Sequence, residues 1–233
     1  MTLSTRSGLA LAALTALGLA AVRPAAAQTI NTLPAQNSTI GSFGVPNTAT
    51  YGQTIVSPTT GTLLDFTFNV SNDFNSSIPA DAEVYAWNGT GATGPALFQS
   101  SPFTINTGSG FTLFTATPNV AVTAGSQYVL LFTTSGLQAG QPKSFASFGT
   151  VTPNTYNDGN LVFLNNGDDR TALNTSTYIS LGNSFGLAFK ADFAPAPTAV
   201  PEPSSLATLG FGGLGLAGMV LAAKRRKKAS AAA

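Results

Sequence analysis

Apolar and polar residues alternate one by one in two stretches of this chain. In LLDFTFNV, Leu64, Phe66, Phe68 and Val70 alternate with Asp65, Thr67 and Asn69. In GLAFKADF, Leu187, Phe189, Ala191 and Phe193 alternate with Ala188, Lys190 and Asp192. A period of two puts one set of side chains on a buried face and the other in water, so each stretch predicts a β-strand. Further strands are predicted at 83–87, 111–115, 127–133 and 161–164. The unbroken run YVLLF, residues 128–132, predicts a central strand covered on both faces. No long stretch between residues 28 and 194 shows helical periodicity.

Turn residues punctuate these strands. NGTGATGP (88–95) follows one strand and NTGSG (106–110) precedes another. NDGN (157–160) and NNGDD (165–169) bracket LVFL, which is expected to be a short strand between two tight reversals. Residues 28–194 therefore predict an all-β domain, an antiparallel β-sandwich or jelly roll. Fifteen of the 16 phenylalanines fall in this body and can fill its core.

Composition narrows the chemistry. The chain has no cysteine, so it has neither disulfides nor thiolate metal sites. It has no histidine, which excludes Ser-His-Asp and Cys-His catalysis and the usual zinc sites. Seven of the ten basic residues sit in the terminal segments. Residues 28–194 keep only Lys143, Arg170 and Lys190 against eight carboxylates, a net charge of −5. Such a body has no phosphate-binding footprint, and nucleic acid is not an expected partner.

The two ends read as addresses. Arg6, the apolar run 8–22 and the small residues Ala25, Ala26 and Ala27 predict a signal peptide over 1–27, cut by signal peptidase between Ala27 and Gln28. The run is short for a membrane span and is followed by Arg23-Pro24, which favours cleavage over an uncleaved anchor. At the other end, residues 195–203 carry Pro195, Pro197, Pro201 and Pro203 and predict an extended linker that stays out of the sheet. Residues 206–223 are uncharged and predict a single membrane helix, about 27 Å long at about 1.5 Å per residue. The cluster Lys224, Arg225, Arg226, Lys227 and Lys228 would hold that end on the cytoplasmic side, with the body outward.

Val200, Pro201, Glu202 and Pro203, the apolar helix and the basic cluster, in that order over 200–228, resemble the PEP-CTERM sorting signal of Gram-negative bacteria. Some family classifications label the same segment an ice-binding protein C-terminal domain, which does not make the body an ice binder. The resemblance implies recognition by an exosortase-like membrane transpeptidase, which processes the chain near the Pro-Glu-Pro motif. The membrane would then be a stage on the route to the surface or the extracellular space. The stretches EVYAWNGTGATGPALFQSS, AGSQYVLLFTTSG, NDGNLVFLNNG and GLAFKADF resemble a loose passenger domain of such sorted proteins, most of which have no assigned activity. That likeness bears on fold more than on function.

Candidate chemistry in the body is sparse. Asp81 and Glu83 share a strand face but are expected to be solvated, and no cleft is evident around them. Asp158, Asp168 and Asp169 are the candidate ligands for a calcium ion, in turns without EF-hand spacing. Tyr85 and Trp87, the only tryptophan, share strand parity just before a Gly-rich loop. They are the candidate stacking platform for a carbohydrate, against the alternative that Trp87 packs in the core. The sequons at Asn37, Asn69, Asn75, Asn88 and Asn174 are a surface hint. The expectation is an exported protein without catalytic activity, structural or adhesive in the envelope or extracellular polysaccharide matrix. A carbohydrate-binding module is the first rival and a cryptic glycoside hydrolase the second.

Overall fold

The computed structural model describes residues 26–72, 77–106, 108 and 110–197. The predicted signal run, the linker from residue 198 onward, Val200–Pro203, helix 206–223 and Lys224–Lys228 lie outside the described residues. Among the described residues no helix is long and apolar enough to cross a membrane.

Fifteen strands form two sheets: β1 (Gln28–Asn31), β2 (Ser38–Val45), β3 (Thr50–Val56), β4 (Gly61–Asn72), β5 (Ile78–Trp87), β6 (Ala92–Gln99), β7 (Phe103–Ile105), β8 (Phe111–Ala116), β9 (Val120–Val122), β10 (Gln127–Thr133), β11 (Ser144–Val151), β12 (Leu161–Leu164), β13 (Ile179–Ser180), β14 (Gly186–Leu187) and β15 (Phe189–Pro195). Sheet A runs β1-β15-β4-β11-β14, with β2 on β11 and with β8 and β9 on β4. Sheet B runs β13-β12-β3-β10-β5-β6, with β7 on β5. The strand pairs are antiparallel, and the two sheets pack as a sandwich, as expected.

The alternating residues meet between the sheets. Phe66, Phe68, Phe148, Phe189 and Phe193 of sheet A and Phe132 of sheet B are fully buried. Phe68 and Phe132 pack edge to face at 4.9 Å between ring centroids. Burying several such rings, at about 25 cal/mol per Å² of apolar area, supplies a core that needs no disulfide. YVLLF is central and covered on both faces. Tyr128, Leu130 and Phe132 join the inter-sheet core, while Val129 and Leu131 join a second cluster with Leu173 and Tyr178 on the outer face of sheet B.

Three expectations need correction. First, Leu64 does not share the buried face. The β15 register steps from Asp192↔Asp65 to Phe193↔Leu63, so Leu64 is the extra residue of a β-bulge and Leu63 is buried in its place. Second, Pro195 belongs to β15, opposite Gly61. As the last strand residue, Pro195 is not required to continue the ladder, and Gly61 admits the close approach: a Cβ there would lie 2.0 Å from the Ala194 carbonyl oxygen. Third, LVFL is not flanked by tight hairpins. The chain reaches β12 from β11 in the other sheet and leaves it through a long loop that returns as β13.

The bulge makes a direct prediction. Leu63→Ala should cost about 2–5 kcal/mol and Leu64→Ala about 1 kcal/mol or less, read from urea unfolding midpoints at constant slope. Equal losses would contradict the register shift.

Candidate functional site

On β5, residues 81, 83, 85 and 87 point to the outer face of sheet B. Its middle is covered by the segment between β12 and β13. Asp169 caps the short 3-10 helix Arg170–Asn174 by accepting from the Thr171 N–H. Arg170 then lies across β5. Its Nη2 is 2.7 Å from Asp81 Oδ2 and also pairs with Glu83 Oε1, while its Nη1 donates to the Ser135 carbonyl at 3.0 Å. The Tyr85 hydroxyl donates to Glu83 Oε2. Asp81 and Glu83 are only 1% and 0% exposed, so the expectation of solvated carboxylates is overturned. Burial pushes the Glu83 carboxyl above the usual range, with Asp81 adding to the rise, against the Tyr85 hydrogen bond and the Arg170 charge. Burial likewise raises the Tyr85 phenol, helped by Glu83. Asp81 Oδ1 is buried without a hydrogen-bond partner among the described residues.

Tyr85, at 5% exposure, is therefore no platform: it lies beneath the covering segment. Trp87 is different. It sits two residues further on, partly buried, where the cover ends. Tyr178 meets its ring edge-on at 5.3 Å and 75°. Tyr178 is fixed in turn, its hydroxyl donating to the Leu173 carbonyl at 2.8 Å and its N–H to the Thr90 carbonyl at 3.0 Å. Next to Trp87, Asn88 Oδ1 accepts from the N–H groups of Thr90 and Gly91, which sets the turn carrying Gly89.

Trp87 lines a cleft of about 340 Å³. Thr54 and Val56 of β3 and Gln127 of β10 also line it, and the loop 157–160 stands opposite. That loop is seated on β3. Asn160 N–H donates to Thr54 Oγ1 at 2.8 Å, and Thr54 N–H to the Asn160 carbonyl at 2.9 Å. Gly159 allows the approach, because a Cβ there would lie 1.8 Å from the Thr54 carbonyl oxygen. Asn157 and Asp158 stand exposed above this seat. Asn160 Oδ1 has no hydrogen-bond partner among the described residues. The volume falls in the usual range for small-ligand sites, and an aromatic ring among amides and a carboxylate suits a hydroxyl-rich ligand with an apolar face.

The three calcium candidates do not come together. Asp158 precedes β12 and borders the cleft; Asp168 and Asp169 follow it. The Asp168 carboxylate accepts from the Gln138 N–H at 3.0 Å, and Asp169 is occupied as the helix cap. No cluster of three acidic side chains that could hold a metal ion occurs among the described residues. The sequon amides of Asn37, Asn69 and Asn174 are all engaged in hydrogen bonds, Asn88 is the turn residue, and Asn75 lies outside the described residues. Gln28 opens β1 opposite Phe193, so a chain starting there would keep the whole of β1. A larger cavity, about 590 Å³, opens between the sheets beside β8. Phe98, Phe103, Phe114 and Phe132 line it, together with hydroxyl side chains and no ionisable group.

Sequence reasoning missed Arg170, Tyr178, Gln127, Thr54, Asn157 and Asn160. The outward parity of β3 and β10 was a signal for Thr54 and Gln127; the others reach the site through loops.

The fold and cleft define an all-β sandwich with a ligand-sized site on one outer face. The chain also carries a known address: residues 199–227 match the PEP-CTERM protein-sorting motif. The motif implies export, anchoring by the C-terminal segment and processing by an exosortase-type enzyme. Neither a curated protein nor a solved structure matches the chain.

The Arg170 clamp is testable. Arg170→Met leaves two buried carboxylates without their cation and should destabilise the protein by about 3–5 kcal/mol in denaturant unfolding. A loss under about 1 kcal/mol would mean that the carboxylates are not held as described.

Proposed function

We propose that the body is a non-catalytic glycan-binding module, which makes the exported protein adhesive at the cell surface or in the extracellular polymer matrix. The observation that carries this reading is the Trp87 cleft. A pyranose ring has a face of C–H groups that packs on an indole and a rim of hydroxyls that needs hydrogen bonds. Trp87 offers the indole; the exposed Gln127, Asn157 and Asp158 offer amides and a carboxylate around it. Tyr178 holds the ring edge-on, so little freedom is lost when a sugar stacks.

The absence of catalysis is supported by where the carboxylates lie. Glycoside hydrolysis uses two carboxylates flanking the scissile bond. The cleft is lined by one, Asp158, while Asp81 and Glu83 are buried against Arg170. The sorting motif supports delivery: signal peptidase and the exosortase-type enzyme would release a body whose charge is near −5.

A purely structural role is the second reading. β8 pairs only with β4, contains no charged residue and exposes Phe111 and Leu113. Such an edge is suited to pairing with another copy.

The two readings part in culture. Protein exported by its host should fractionate with extracellular polysaccharide, and Trp87→Ala should move most of it into the soluble medium at unchanged export. Trp87→Ala retained like the wild type would reject the cleft as the adhesive site.

A further inference from the structure

The cleft has an electrostatic character that goes beyond glycan binding as such. Among the described residues Asp158 is its only ionisable lining residue. It is exposed, and among the described residues no hydrogen bond or ion pair holds its carboxylate. Among the described residues no Lys or Arg lines the cleft. Arg170 is committed to Asp81 and Glu83, and Asp81 stands opposite Thr133, at the far end of β10 from Gln127. Lys190 is committed to Asp192 in the other sheet. Lys143, the third cation of the body, precedes β11 and does not line the cleft. The surrounding body is itself acidic, with a net charge of −5 over residues 28–194.

We propose that Asp158 makes the cleft a charge filter: it accepts neutral, hydroxylated polysaccharide and rejects polyuronate. This rests on the glycan reading above and names the class of glycan. Hydroxyl groups are donors, and a free carboxylate with amide oxygens beside it is an acceptor set for them. A uronate would instead bring its carboxylate toward Asp158 across a rim that carries no Lys or Arg among the described residues. Like charges a few ångströms apart repel even through water, and added salt weakens that repulsion. The same acidic body slows the approach of a polyanion before it reaches the cleft.

The full-length protein, kept in a polyoxyethylene detergent that carries no sugar, is run by affinity electrophoresis through gels containing a neutral β-glucan, a galactomannan, alginate or polygalacturonate. The wild type should be retarded by at least one neutral polymer, and Trp87→Ala should abolish that retardation; retardation by polyuronate, to which Lys224–Lys228 of the full chain contribute, should be the same in the wild type and Trp87→Ala. Asp158→Asn keeps a residue that favours the same turn. It should gain retardation by a polyuronate, with an apparent affinity at least tenfold above the wild type at low salt, and the gap should shrink as salt is added. Wild-type retardation by polyuronate equal to that by neutral polymer, abolished by Trp87→Ala, would overturn the filter and leave the glycan site standing. Polyuronate retardation unchanged in Asp158→Asn would also overturn it. No retardation by any neutral polymer, or neutral-polymer retardation indifferent to Trp87→Ala, would overturn both.

Discussion

The clamp of Arg170 on Asp81 and Glu83 is the contact on which the outer face of sheet B depends. β5 places two carboxylates where they are nearly solvent-free, a placement that costs several kcal/mol per ion without a partner. Arg170 supplies the charge, the Tyr85 hydroxyl satisfies a further oxygen, and the Ser135 carbonyl takes another guanidinium proton. A buried ion pair of this kind is weak as a source of stability, and its value lies in fixing one arrangement. Here it fixes the segment from Asn165 to Tyr178 over β10 and β5. Leu173 and Tyr178 then bury Val129 and Leu131, and the Tyr178 and Trp87 rings meet edge to face. The cleft begins where this cover ends.

How much of this the sequence disclosed depends on the range of the interaction. Period-two alternation reports on a single strand, and Phe189, Ala191 and Phe193 of β15 lie buried as that alternation predicts, whereas Leu187 belongs to the separate strand β14 and Ala188, expected in water, is buried between the two. Leu64 failed because a bulge is decided by the partner: β15 skips a residue of β4, and nothing within LLDFTFNV records it. YVLLF disclosed that β10 is covered twice but not by what, since the second cover comes from a loop some forty residues later. The candidate site divides in the same way. Trp87 was legible from strand parity and the turn after it. Its neighbours Asn157–Asn160 meet it only through the order β12-β3-β10-β5, which alternation does not encode. Arg170 was visible as one of three cations in the body, but its partner Glu83 lies 87 residues away.

β1 and β15 are neighbours in sheet A, with Gln28 opposite Phe193, so the first and last strands of the described body meet at one place. The Trp87 cleft is on the outer face of the other sheet. The C-terminal motif implies export and anchoring, and the cover held by Arg170 ends beside the partly buried Trp87.

The central claim is that a sugar stacks on Trp87. Because it is the only tryptophan in the chain, intrinsic fluorescence reports on this ring alone. Titration of the protein with a neutral oligosaccharide that it binds should shift the emission to shorter wavelength and saturate with the same dissociation constant that calorimetry gives. Saturable binding in the calorimeter with the tryptophan emission unchanged would contradict the account.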